Sequence, residues 1–109
     1  MGSRELRILS PTAILGYGFP VRSLERGLAR DPHVIAVDAG SIDPGPYYLG
    51  SGKSFTDRSA VRRDLALLLE AALNRGIPLI VGTAGGCGAA PHVAWCREII
   101  EEISRERGF

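Results

Sequence analysis

The chain has 109 residues, enough for one domain, with 45% hydrophobic and 23% charged side chains, the balance of an ordinary globular protein. Its 13 basic and 12 acidic residues leave a formal net charge of +1, so no field of one sign is present to recruit nucleic acid or an anionic membrane. No apolar run approaches the roughly 20 residues of a membrane span, and the start MGSRELRIL lacks the apolar core of a secretion signal, so the protein reads as cytoplasmic.

Residues 6–9 (LRIL) are compatible with a first strand, which Ser10-Pro11 closes. Residues 12–20 (TAILGYGFP) either continue that strand past a break or form a glycine turn with an apolar lip. Val21, Leu24 and Leu28 then recur at helical spacing, and Asp31-Pro32 stops the helix. Residues 34–37 (VIAV) predict a second buried strand with Asp38 at its carboxyl end. The connection over residues 39–56 is long for a compact domain, and binding loops or lids are the commonest use of such a length.

A long helix follows. Thr56 or Asp57 can cap it, Val61, Leu65, Leu68 and Ala72 share one face, and Gly76 and Pro78 end it. The apolar run at residues 77–81 is a third strand, and it empties into residues 82–88, a loop rich in glycine. Pro91 suits the first turn of a last helix reaching about Arg107, with Val93, Cys96, Ile100 and Ile103 on one stripe and Trp95 and Ile99 widening it.

This order predicts an α/β fold: a three-layer, Rossmann-like βαβαβα unit with a three-stranded parallel sheet. Three strands leave two edges and little core, so the single domain 1–109 is expected to be part of a larger doubly wound domain, with a carboxyl-terminal region elsewhere, or to associate with itself. All three glycine loops follow strand carboxyl ends and should gather on the edge where open α/β sheets bind ligands.

The candidate site residues sit in those loops. Gly16, Gly18 and then Asp38 come close to a dinucleotide fingerprint, but Val21 stands where the third glycine belongs and Pro11 separates strand from turn. Gly52-Lys53-Ser54 imitates the end of a phosphate-binding P-loop, yet Tyr47 replaces its first glycine; a looser anion site with Lys53, Ser54, Gly40 and Ser41 is the alternative to a solvated lid. Gly82, Thr83, Gly85 and Gly86 would offer amides to an anion near the start of the last helix. Cys87 is a candidate nucleophile with His92 as a possible base, against the reading of a small residue tolerated in a glycine loop. Asp38 is a candidate general base or hydroxyl contact; with Asp43 alone beside it, a metal site lacks ligands. His33 reads as a surface residue, and Cys96 with Trp95 as packing.

The segments LSPTAILGYGFP, VIAVDAGSIDPGPYYLGSG and VGTAGGCGAAPHVAW together resemble the opening part of the acyclic terpene utilisation family, a group of larger bacterial proteins. That resemblance implies a metabolic protein acting on small organic acids or their thioesters, and it transfers no catalytic role to any residue. The expected function is therefore a small-molecule enzyme, or part of one, that binds an anionic ligand at the glycine loops, with no cofactor specified. The alternatives are a non-catalytic ligand-binding or structural module and a degenerate dinucleotide-binding domain.

Overall fold

A computed structural model of the chain describes residues 4–109; the first three residues of the amino-terminal stretch read above lie outside that range. The elements are β1 (Ile8–Leu9), α1 (Val21–Leu28), β2 (Val34–Asp38), α2 (Gly45–Ser51), α3 (Arg58–Arg75), β3 (Leu79–Gly82), a 3-10 turn (Ala84–Gly86) and α4 (Ala90–Arg107). The strands form one parallel sheet in the order β1-β2-β3. Ile8 lies opposite Val34, and Ile35, Ala36, Val37 and Asp38 lie opposite Leu79, Ile80, Val81 and Gly82. The protein is thus α/β with a three-stranded parallel sheet, a layout compatible with a Rossmann-like fold.

Strand order dictates where the helices go. A right-handed crossover from β1 to β2 and another from β2 to β3 step in the same direction, so both place their helix on the same face. That face carries Leu9, Ile35, Val37, Leu79 and Val81, which pack with Leu24 of α1 and with Val61, Leu65, Leu68 and Ala72 of α3. Leu65 and Leu68 are wholly buried, each worth about 2 kcal/mol of transfer free energy. Ile99 and Ile103 of α4 join the same cluster, and α4 lies along α3 with Arg58 bound to Glu102 at 2.7 Å and Arg62 to Glu106.

Successive strand residues point to opposite faces, so Ile8, Val34, Ala36 and Ile80 share the other side of the sheet. Ile8 is 58% and Ile80 57% exposed, and none of the four belongs to the core cluster. The expectation of helices on both faces is therefore not met among the described residues. A sheet stepping in one direction receives its helices on one side; cover on both sides requires the strand order to reverse.

Local signals account for the helix ends. Asp57, not Thr56, caps α3, its carboxylate accepting from the Ala60 amide at 3.2 Å, and Gly76 closes it at φ 64°. Residues 39–56 are not structureless: they contain α2, with Pro46 in its first turn and Gly52 ending it at φ 74°. The buried side of α4 is His92, Cys96, Ile99 and Ile103: Cys96, Ile103 and the flanking Ile99 lie where the stripe expects them, while His92 is buried in place of Val93, which is half exposed.

Candidate functional site

A cavity of about 450 Å³ lies at the carboxyl edge of β2 and β3. The end of β2 contributes Asp38, the segment after it Gly40 and Ser41, and the segment after β3 Thr83, Gly86 and Cys87. The connection after β2 adds Ile42, Gly45, Pro46 and Leu49, an apolar wall whose residues sequence reasoning did not name one by one, although it read this connection as a binding loop or lid. Among the described residues no lysine or arginine lines the cavity.

Asp38 joins the two segments. Its Oδ1 accepts from the Gly40 amide at 2.9 Å and from the Thr83 hydroxyl at 2.8 Å, so both protein bonds fall on one oxygen and fix the carboxylate plane. Thr83 has φ 52°, a left-handed conformation that a β-branched residue adopts at a cost of about 1–2 kcal/mol. Its hydrogen bond to Asp38 helps to hold it there, and strain of this kind gathers where function requires a fixed geometry. Gly40 packs against the same segment so closely that a Cβ would overlap the Gly86 carbonyl.

The glycine loops spend their amides internally. Gly86 N–H donates to the Thr83 carbonyl at 2.9 Å, Gly88 N–H to the Ala84 carbonyl at 3.1 Å, and the Cys87 amide also to Ala84. The Gly82 carbonyl accepts from Ala39 N–H at 2.9 Å. Gly85 is buried, and its missing Cβ leaves room for the His92 backbone.

The first glycine turn reaches the same edge, where Leu15 N–H donates to the Asp38 carbonyl at 2.8 Å, but it does not line the cavity. Gly16 and Gly18, at φ 105° and 82°, do meet a carboxylate: Asp64 of α3, which is 1% exposed and whose Oδ2 accepts both amides at 2.8 and 3.1 Å. Arg63 donates to its other oxygen at 3.1 Å. An anion-binding nest is present, and the protein's own side chain fills it. Sequence reasoning did not single out Asp64, although its spacing from Val61 and Leu68 puts this acid on the buried face of α3, the signal that could have found it.

The connection after β2 is held down by His92. Its Nε2 lies 2.9 Å from the Tyr48 carbonyl and 3.1 Å from that of Lys53, and because both are acceptors Nε2 carries the proton. His92 Nδ1 is buried and meets no hydrogen-bond partner among the described residues. His92 is thus turned to the backbone of residues 48–53 rather than paired with Cys87. Cys87 directs its thiol at the Gly45 carbonyl, 3.6 Å away. Lys53 and Ser54 stand outside the cavity, with the Ser54 hydroxyl 2.8 Å from that of Thr56 and next to Gly86.

Both cysteines are free. Burial pushes the Cys96 thiol pKa up, and the Gly85 backbone N–H partly offsets this. Glu102, on the surface between α3 and α4, is held below the usual carboxylate range, first by its hydrogen bond from Arg58. His33 is exposed, and its Nδ1 accepts from the Arg7 amide at 2.9 Å. Among the described residues no three His, Cys, Asp or Glu side chains are grouped as a metal site needs, and no helix is long and apolar enough to cross a membrane.

The candidate residues therefore divide in two. Asp38, Gly40, Ser41, Thr83, Gly86 and Cys87 converge on one cavity, whereas Gly16, Gly18, Lys53, Ser54, Gly82 and Gly85 serve loops and packing around it. No family model, curated protein or solved structure matches the chain.

Proposed function

We propose that the protein is a small-molecule-binding α/β module of metabolism whose ligand sits in the cavity at the carboxyl edge of β2 and β3. The observation that carries this reading is the meeting there of two separate post-strand segments, tied by Asp38 to a strained Thr83 around about 450 Å³ of mostly apolar space. Within it, Asp38 and Cys87 are the groups able to act on a ligand, the first as base or hydrogen-bond acceptor and the second as thiol nucleophile. A role in an enzyme of the acyclic terpene utilisation kind rests on the three resembling segments alone. A cytoplasmic setting suits the two free thiols.

A non-catalytic binding module is the second reading, and a specific observation favours it: the one histidine near Cys87 in sequence spends its N–H on the carbonyls of Tyr48 and Lys53. The exposed face bearing Ile8 and Ile80 further supports membership in a larger doubly wound sheet, in which a strand added beyond β1 would bring its crossover helix onto that side. Amide NMR spectra recorded against a panel of carboxylates, acyl thioesters, alcohols and amines test the site. Shifts concentrated at Gly40, Thr83 and Gly86 are expected; a panel that leaves all three unmoved removes the reading.

A further inference from the structure

We infer that the cavity takes a small molecule with an apolar body and a protonated amine head, held by Asp38, and discriminates against free carboxylates and phosphates. This deepens the binding-site reading above and rests on it. Among the described residues Asp38 is the single carboxylate lining the cavity, and no lysine, arginine or histidine lines it. Asp38 is exposed to solvent, and an anionic head beside it would meet that negative charge with no lining cation to offset it.

Most of the glycine-loop amides that could hold an anion are already bonded. The amides of Gly40, Gly86, Cys87 and Gly88 bond within their own loops. Lys53, the cation nearest in sequence, lies outside the cavity, and its backbone carbonyl accepts from His92. The anion nest at Gly16 and Gly18 is occupied by Asp64.

Asp38, in contrast, is prepared for a cation. Thr83 and Gly40 both donate to Oδ1, which orients the carboxylate and leaves Oδ2 without a hydrogen bond from the described residues. A charge-assisted bond from an ammonium to a carboxylate is roughly twice as strong as a neutral one, so an amine gains more there than an alcohol of the same shape. Ile42, Pro46 and Leu49 supply the wall for the carbon chain.

The test is a matched series of six-carbon probes, hexylamine, 1-hexanol and hexanoate, titrated at pH 7 against the whole protein and followed at the Gly40, Thr83 and Gly86 amides. Hexylamine should bind about tenfold or more tighter than hexanoate, with hexanol between them. Asp38→Asn keeps an Oδ1 acceptor for Gly40 and Thr83, and in that variant hexylamine should fall to the level of hexanol. Hexanoate binding as tightly as hexylamine, or a hexylamine preference that survives in Asp38→Asn, overturns the head-group inference while leaving a ligand cavity in place. If none of the three probes moves those amides, the binding-site reading fails and this inference with it.

Discussion

The turn at Gly16–Gly18 and the turn at Gly85–Gly88 both set glycines at positive φ near the carboxyl edge of the sheet, yet the first is sealed around Asp64 and the second opens onto a cavity. The glycine signature reports only that something approaches the backbone closely. In the first turn that visitor is a carboxylate one helix away; in the second it is the His92 backbone on one side and open space on the other. A glycine-rich loop after a strand is thus equally compatible with holding a ligand and with holding the protein itself, and the neighbouring helix decides.

The strongest way to break this contrast is Gly85→Ala. The added methyl would overlap the His92 carbonyl, a backbone atom that cannot swing aside, in a conformation that side chains resist, so a loss of about 4 kcal/mol or more is expected in urea unfolding. An Ala variant as stable as the parent would show that the turn and α4 are not locked together. Next comes Asp64→Leu, which leaves the Gly16 and Gly18 amides without their acceptor; about 3 kcal/mol should be lost, with Asp64→Asn costing less because it retains one acceptor oxygen. Equal costs for the two variants would mean that shape, not hydrogen bonding, holds the first turn.

A chemical probe sharpens the difference between an open and a closed turn. Cys87 lines the cavity, whereas Cys96 is 3% exposed and its thiol pKa is raised by burial. Iodoacetamide should label Cys87 in the folded protein and Cys96 only after denaturation, as read by mass spectrometry of the peptides. The raised folded-state pKa also means that the stabilising effect of keeping Cys96 protonated holds below the unfolded thiol value and is lost as pH rises through the folded one.

The smallest effect belongs to the surface. Glu102 has a folded pKa lowered chiefly by Arg58, so its contribution is present above the unfolded carboxylate value and lost as pH falls through the folded one. Arg58→Ala should therefore lower the melting temperature slightly at pH 7, and the gap to the parent should close once Glu102 is protonated. A gap between the two proteins that widens in acid would rule out this pair as its source.

Much of the fold was legible locally. The apolar runs at 34–37 and 77–81 became β2 and β3 within a residue or two, Asp57 and Gly76 bounded α3 as their side chains require, and the β-α order implied parallel strands. The failures have physical causes. GPYYLGS is a poor helix by propensity, and α2 exists because His92 caps the Tyr48 carbonyl and Gly52 closes its end. The stripe of α4 differs at its start, where buried His92, not Val93, meets the carbonyls of Tyr48 and Lys53, an exchange that no hydrophobicity pattern encodes.

The amino-acid sequence by itself determined which segments become strands and helices, where most of them stop, and that glycine loops follow the strands, because periodicity, caps and positive-φ residues act over a few neighbours. Only the tertiary structure decided that α1, α3 and α4 pack into one core cluster on one face of the sheet, that Asp64 fills one glycine turn, and that Asp38 with Thr83 borders an open cavity at the other. Those outcomes depend on strand order and on side chains brought together from positions tens of residues apart, and chain-local signals carry no record of such distances.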